Sequence, residues 1–464
     1  MSRSYRGGGG GTEPQSAATA VMTRQDCQRI VERVLALSRA DNVDVNVGSF
    51  YQGNTRFAAN QLSTSGAVEN ANLAVQSHFG PKHAVVTTND LSDESLRRVV
   101  PQSEALARLA PDDPESMPPL PAQRYTPVNA FFESTVNLAP ADRARAALAA
   151  LETTRAAGSE VVAAGYLVTS AGAFANANKA GMFAYHRQTS ANYTLTVRTT
   201  DGTGSGWAGA DERDWTRLDF RDVATRAIEK ARLSRNPVAI EPGRYTVVME
   251  PQAVGDLVQT MAFALDARSA DEGRSAFANP SGGTKIGERV VDARVTIVSD
   301  PADPQLLGTP FDGQGLPLGR QVWIENGVLR QLVYSRFWAQ RQNRQPTGSP
   351  SSVKFAGGDQ STQQLIAGTD RGVLVTRLWY LRQVDPRTIL YTGLTRDGTF
   401  LIEGGRITRA LRNFRFNDSP LFLLNNLEAL GPAQRLAGTE AGGNIVMPAL
   451  KSREFNFTSL SEAV

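Results

Sequence analysis

The chain has 464 residues, of which 41% are hydrophobic, and its 49 basic side chains stand against 46 acidic ones. The formal net charge of +3 is too balanced to indicate nucleic acid or an anionic membrane as the main partner. The longest apolar runs, such as Val161–Val168, fall far short of the ~20 residues that cross a bilayer, which argues against a membrane-spanning helix. At ~100–200 residues per domain, the length predicts two or three domains.

Residues 1–22 are predicted to form a flexible glycine-rich tail. Residues 7–11 are five successive glycines, and the segment lacks the apolar stretch of a secretory signal. The single cysteine, Cys27, cannot form an internal disulfide, which agrees with a reducing compartment. We therefore expect a cytoplasmic protein.

A small N-terminal α/β domain is predicted for residues 23–110. Thr23 and Asp26 form an N-cap pair at the start of an amphipathic helix, and Ser92 caps a second helix that runs through Leu109. Alternating or short apolar runs predict strands at residues 43–47, 55–58, 73–79 and 84–88. These strands are expected to form a small sheet packed on the first helix.

A central α/β domain is predicted for residues 128–236, after a proline-rich linker at 111–127. Six prolines in that linker interrupt regular backbone hydrogen bonding. Helices are expected at residues 140–157, ended by Gly158, and at 219–234, with strands at 161–169 and 192–200. Asn236-Pro237 marks the second boundary.

The remainder, residues 237–464, is predicted to be a C-terminal domain with a curled, mostly antiparallel β-sheet. One amphipathic helix is expected at residues 252–270, followed by short strands separated by glycines. The expected strands lie at residues 290–298, 322–324, 372–380, 399–402 and 406–412. The predicted fold class is therefore α+β.

Three histidines are few for metal binding or acid–base catalysis. His78 and His83 flank a Gly-Pro turn that could bring both rings to one ion. No Asp, Glu or Cys lies beside them in the sequence, so we interpret them as ordinary surface histidines. His186 has no nucleophile motif beside it, and a structural role is preferred. Residues 204–209 match a dinucleotide fingerprint, but acidic residues follow them and a βαβ unit is missing, so a glycine-rich hairpin or wide loop is predicted.

Several short segments, in order and spacing, resemble the TldD/PmbA family of metallopeptidase-like proteins. In the C-terminal part the clearest are Asp312-Gly313-Gln314-Gly315, Ile324-Glu325-Asn326-Gly327 and the run from Gly393 to Glu403. The ending Val446-Met447-Pro448-Ala449-Leu450-Lys451 is similar to the PmbA (also called TldE) branch. Upstream, Asp201-Gly202 with Ser205-Gly206-Trp207-Ala208 resembles the family's central domain. The resemblance covers the chain from about residue 23 to its end.

The resemblance implies a zinc site in TldD-type members, on an HExxxH helix with a further cysteine ligand near the C-terminus. After the Pro-x-x-x-Gly stretch at Pro251–Gly255, the motif positions fall on Gln259, Thr260 and Ala264. Amide, hydroxyl and methyl groups cannot replace imidazole ligands and a carboxylate base. Residues 249–273 contain no histidine or cysteine. We therefore expect no metal or cofactor in this chain, with zinc in a partner subunit. The acidic residues around the helix are interpreted as solvated: Asp256, Asp266 and Glu272.

Three functions remain open at this point. The first is a non-catalytic PmbA/TldE-type subunit that pairs with a TldD-type zinc protease and helps to select unfolded or flexible peptides. The second is a free-standing peptide-binding or scaffold homodimer without protease activity. The third is a hydrolase that uses other chemistry, through His186 or an acidic cluster.

Overall fold

The computed structural model describes residues 21–438, 440 and 444–461. Residues 1–20 of the predicted tail lie outside the described residues. Val21 is buried, and Met22 O accepts a hydrogen bond from the Tyr185 hydroxyl. The described part of the chain thus includes the last two residues of the predicted tail. No helix of the described residues is long and apolar enough to cross a membrane.

The first half of the chain forms one antiparallel sheet of six strands. Its strands are β1 (Asn42–Ala58), β2 (Gln61–Phe79), β3 (Lys82–Thr88), β4 (Val161–Asn178), β5 (Phe183–Thr199) and β6 (Ser205–Glu212), in the order β3-β2-β1-β4-β5-β6. The predicted strands at 43–47 and 55–58 are one continuous strand. β1 pairs with β4 from Asp44 opposite Asn178 to Phe57 opposite Gly165, so the predicted N-terminal and central segments share this sheet.

Helices cover one face of this sheet. They are α1 (Arg24–Leu37), α2 (Asp93–Leu109), α3 (Glu133–Val136), α4 (Pro140–Ala156) and α5 (Phe220–Leu233). Every second residue of a strand points to the same face, and the alternate valines of β1 accordingly pack against Cys27 and Val31 of α1 and Leu96 of α2. The predicted helix starts are confirmed, including the capping box of Thr23 and Asp26 and the Ser92 cap.

Of the two structures predicted for residues 204–209, the glycine-rich hairpin is confirmed and the wide loop is wrong, because residues 205–212 form strand β6, which pairs antiparallel with β5 at the edge of the sheet. The glycines there allow α5 to approach closely. A Cβ atom on Gly206 would lie 2.3 Å from the carbonyl oxygen of Ala227 and 2.4 Å from the backbone nitrogen of Ala231. The antiparallel pairing of β5 with β6 also differs from a dinucleotide-binding βαβ unit.

The second half of the chain forms a mixed sheet of thirteen strands. The strands are β7 (Gly243–Met249), β8 (Ile297–Ser299), β9 (Gln321–Glu325), β10 (Val328–Leu329), β11 (Val353–Phe355), β12 (Arg371–Val375), β13 (Leu378–Asp385), β14 (Leu390–Thr395), β15 (Thr399–Glu403), β16 (Arg406–Ala410), β17 (Phe414–Asp418), β18 (Leu427–Arg435) and β19 (Ile445–Leu460). Only the β11–β19 and β7–β12 pairs are parallel among the described strands. The α+β class with a mostly antiparallel C-terminal sheet is confirmed.

Short helices pack on this second sheet. They are α6 (Pro251–Val258), α7 (Thr260–Ala264), α8 (Ala267–Asp271), α9 (Arg336–Arg341), α10 (Thr362–Ala367) and α11 (Pro420–Asn425). The single helix predicted at 252–270 is therefore wrong, because three helices occupy that range. The break before α8 has a tertiary cause: Leu265 O accepts from Val333 N and Ala267 N donates to Val333 O, so these backbone groups pair with a distant segment.

Other strand predictions were too long. The strand expected at 290–298 is ordered as a strand only at Ile297–Ser299, and the one expected at 372–380 divides into β12 and β13. Local apolar patterning does not report where a chain leaves one strand pairing and enters another.

Candidate functional site

The helix α6 occupies the position that the resemblance assigns to the metal-binding motif. Pro251 is its first residue, and all eight of its residues are buried. It packs mainly against β19 and β13. A Cβ atom on Gly255 would lie 2.0 Å from Leu436 Cδ1, so the glycine of the Pro-x-x-x-Gly stretch permits this contact with the segment after β18. The glycine therefore has a packing role.

The three motif positions lie where α6 gives way to α7. Gln259 joins the two helices and its Nε2 atom donates to Glu440 O at 2.7 Å. Thr260 is buried and its hydroxyl donates to Leu257 O at 2.6 Å. Ala264 ends α7 and is partly exposed. Both polar side chains donate to backbone carbonyls, and the set offers no imidazole, thiolate or carboxylate.

Asp256 is fully buried, so its interpretation as a solvated residue is wrong. Its Oδ2 atom accepts from Leu378 N at 3.0 Å, and its Oδ1 atom accepts from Gln252 Nε2 at 3.0 Å. A buried carboxylate is costly unless it is hydrogen-bonded, and these bonds attach the start of β13 to α6. The sequence could not show this, because the donor at Leu378 is more than a hundred residues away.

The other two acidic residues of this region lie nearer the surface. Asp266 accepts from Ser269 N at 2.7 Å and caps α8. Glu272 is exposed, and hydrogen bonds from Arg274 and Arg268 lower the pKa of its carboxyl. The solvated interpretation is confirmed for Glu272. Across the described ranges, no three His, Cys, Asp or Glu side chains are placed together to hold a metal ion.

A strand edge that side chains cover only in part lies beside this helix. β13 pairs with β14 on one side, and its other edge has no strand partner among the described residues. Tyr380 N, on β13, donates to Glu440 Oε1 at 3.1 Å, so Glu440 contacts both β13 and Gln259. Phe263, one helical turn beyond Gln259, is 80% exposed. A strand edge without a strand partner can accept an extended peptide.

A polar seam joins the two sheets. Ser205 Oγ donates to Asp397 Oδ1 at 2.7 Å, and Arg377 forms an ion pair with Asp397 at 2.8 Å. Arg435 of the second sheet pairs with Asp211 of the first at 2.7 Å. These side chains are almost completely buried, so one desolvated ion pair, Arg435 with Asp211, and the hydrogen bond from Ser205 to Asp397 join the two halves.

Two of the sequence segments that carry the resemblance lie in this seam. Asn176 donates to the backbone oxygens of Asp312 and Gly313, and the Tyr125 hydroxyl donates to Gly315 O at 2.8 Å. The second segment, Arg396-Asp397-Gly398, places Asp397 against Ser205. Both segments therefore dock one sheet on the other.

His186 is also buried in the seam and is 4% exposed. Its ring makes an edge contact with Phe174, at 5.6 Å between ring centroids. Burial, together with the nearby Arg213, lowers the pKa of His186 to about 4. The structural role predicted for His186 agrees with this position, and a buried ring gives a substrate little access.

The remaining predicted residues lie near the first sheet. Cys27 is buried in α1, and burial raises the pKa of its thiol to about 11. His78 and His83 are half-buried, stand opposite each other on β2 and β3, and each has an aspartate beside it. They are therefore less exposed than the surface interpretation predicted.

Comparison with known proteins agrees with the resemblance. Residues 135–235 match the model of the PmbA/TldA metallopeptidase central domain, and residues 242–459 match the model of the PmbA/TldA metallopeptidase C-terminal domain. A protein named metalloprotease from Methanothermobacter thermautotrophicus is 26% identical over 238 residues, which are 47% of this chain and 50% of that protein. Metalloprotease PmbA of Escherichia coli O157:H7 is 22% identical over 267 residues, which are 56% of this chain and 53% of that protein.

The fold has a close match among solved structures. The crystal structure of TldE from Thermococcus kodakarensis has a TM-score of 0.84 at 18% identity, covering 93% of this chain and 99% of that one. By sequence, the chain spans about half the length of the curated relatives it matches. Two adjacent family models, in the expected order, together with this shared fold, show that the chain belongs to the TldD/PmbA family.

Proposed function

We propose that this chain is a non-catalytic, PmbA/TldE-type subunit that pairs in the cytoplasm with a TldD-type zinc protease and contributes to proteolysis of unfolded or flexible peptides. The observation that carries the proposal is the motif helix: α6 and α7 are retained, while Gln259, Thr260 and Ala264 occupy the motif positions. Zinc hydrolysis requires ligands and a general base that these side chains do not supply.

The surface beside the helix supports a role in binding peptides. The edge of β13 has no strand partner among the described residues, and beyond Tyr380, whose amide like that of Leu378 is bonded to a carboxylate, an extended chain can pair with its backbone whatever its sequence. Tyr380 on β13 and Phe263 on α7 are both exposed aromatic residues. Such a surface suits unfolded peptides, because backbone pairing supplies affinity without demanding particular side chains.

The proposal is tested by reconstitution with the TldD-type paralogue of the same organism. The two chains are expected to co-purify as a complex, and the mixture to cleave an unfolded fluorogenic peptide that neither chain cleaves alone. Chelation of zinc should abolish the activity of the mixture. Cleavage by the paralogue that is unchanged when this chain is omitted would refute the proposal, as would a stable homodimer that ignores the paralogue.

A pair of matched variants tests the surface. Phe263→Ser should leave the stability of the isolated chain within ~0.5 kcal/mol, because the side chain is 80% exposed, yet weaken paralogue or peptide binding. Leu109→Ser is the control, since Leu109 is 85% exposed on α2, a helix of the first sheet. Equal effects of the two substitutions on binding would exclude Phe263 from the interface.

A further inference from the structure

Strand β6 is the last strand of the first sheet, so its outer edge has no strand partner among the described residues. The carbonyl of Gly204, just before β6, accepts a hydrogen bond from Thr199 N of β5. Backbone groups of successive residues in a strand point to opposite edges, so the N–H and C=O groups of Gly209 and Asp211 point away from β5. In the part of the chain that the structure describes, nothing hydrogen-bonds to these four groups. They are therefore available to an added strand.

The beginning of this edge is already occupied. The hydroxyl of Ser234 accepts from Ser205 N and donates to Ser205 O, both at 2.8 Å. Lys230 Nζ donates to Trp207 O at 3.2 Å. The available edge thus begins at Gly209 and is short, so an added strand needs side-chain contacts as well as backbone pairing.

The available edge opens into a groove between the two sheets. Residues 209–212 line this cavity of about 680 Å³, which we call the β6 groove. One wall is α5, and the other belongs to the second sheet and α10 and carries apolar side chains: Ile366, Leu374, Phe400 and Ile407. Glu250 and Pro251, at the start of α6, also line the groove, whereas the edge of β13 lies beside the other end of α6. The β6 groove is therefore a separate site.

The charges that line the β6 groove leave an excess of two carboxylates, since five acidic side chains stand against three basic ones. Three ion pairs neutralise six of these eight groups: Asp211 with Arg435, Asp222 with Arg226 and Glu250 with Lys230. Glu212 and Glu229 remain, and within the described ranges neither has an ion-pair partner. Burial raises the pKa of the Glu212 carboxyl more than Arg435 and Arg217 lower it, so a cation that reached this carboxylate would stabilise its charged form.

The two walls face opposite sides of an added strand. Glu212 lies on the same face of β6 as Gly206, which packs against α5, while Asp211 lies on the other face, where Arg435 binds it from the second sheet. Directly opposite residues of paired strands share a face. In a peptide that pairs with β6, alternate side chains therefore point towards α5 and the two carboxylates, and those between them point towards the apolar wall.

We propose that the β6 groove binds an extended peptide segment in which basic residues alternate with apolar ones. The peptide backbone pairs with Gly209 and Asp211, its basic side chains reach Glu212 and Glu229, and its apolar side chains contact the opposite wall. This inference assigns a substrate class and rests on the proposed function for the role of the peptide, but binding itself is a property of this chain alone.

The test is fluorescence anisotropy of short labelled peptides with the full chain, without the paralogue. A peptide in which lysine and valine alternate should bind, and its affinity should fall as salt is added. Replacing every lysine by glutamate should weaken binding by ~tenfold or more, because like charges then meet in the groove. N-methylation of the backbone groups that face β6 should also weaken it by ~tenfold or more, because the strand pairing is lost.

Variants of the groove carry the same test to the protein. Glu212→Gln and Glu229→Gln keep the size of the side chain, and each should weaken binding by ~threefold or more, with ~tenfold for the double variant. Glu32→Gln is the matched control, since Glu32 is exposed on α1 and does not line the groove; its affinity should equal that of the parent chain. The bound peptide should also slow amide hydrogen exchange in residues 205–212.

The proposal is overturned if the lysine peptide does not bind, or if the glutamate peptide binds equally well. Unchanged affinity of the double variant, or a bound peptide that leaves the amides of residues 205–212 unprotected, would overturn it too. Co-purification with the paralogue and cleavage by the mixture are separate readouts. Their loss with peptide binding intact refutes the proposed function alone, and loss of peptide binding with cleavage intact refutes the groove alone.

Discussion

Acidification should weaken the fold through His186, because this histidine is buried without charge between the two sheets. Its pKa falls from 6.5 to about 4 on burial, so the unfolded chain takes up a proton between these two pH values while the folded chain does not. The stabilisation is complete above pH 6.5 and is lost as the pH falls towards 4. A shift of this size corresponds to ~3 kcal/mol, at about 1.4 kcal/mol per pKa unit.

The comparison of His186→Leu with the parent chain isolates this effect from other titrating groups. Urea unfolding of both chains at pH values from 7.5 to about 4 measures the difference in unfolding free energy at each pH. As the pH falls, the unfolding free energy of the variant should rise by ~3 kcal/mol relative to that of the parent chain. The control, Phe174→Leu, removes the ring contact but no titrating group, so its effect should not vary with pH across this range. Parallel curves for His186→Leu and the parent would refute the reasoning.

Three further predictions concern close packing, the seam and the thiol. Gly206→Ala should destabilise the chain by ~1–3 kcal/mol or more, because the new methyl group meets the backbone of α5, whereas Gly319→Ala, which meets nothing within 4 Å, should be nearly neutral in the same urea assay. Arg377→Ala should cost ~1.5–3 kcal/mol by removing the nearest charged partner of the buried Asp397 carboxylate, which keeps Ser205 and Arg396, while Arg274→Ala, in an exposed ion pair, should cost under ~1 kcal/mol in thermal unfolding. Cys27 should react with a thiol reagent at pH 8 only on unfolding, since burial raises its pKa to about 11; rapid reaction of the folded chain would contradict this.

The helix termini of the first half could be predicted from the sequence because their causes are local. A cap residue and the amide that it binds are three residues apart, as in Thr23 with Asp26 and Ser92 with Ser95. The alternating valines of β1 likewise identify a strand with one buried face. Local patterns do not predict the helix ends within residues 252–270. The apolar pattern continues there, but backbone hydrogen bonds with Val333 interrupt the helix.

The sequence by itself determined the fold class, the family resemblance and the identity of the residues at the motif positions, since each is a matter of residue type and spacing. Only the tertiary structure decided that one sheet runs through the N-terminal and central segments, that Asp256 is buried against Leu378, and that Asp44 and Asp113 reach the two histidines of the hairpin. The physical reason is the same in each case. These interactions join groups that lie tens to more than a hundred residues apart, and strand pairing and desolvation are properties of the assembled sheets that no local pattern records.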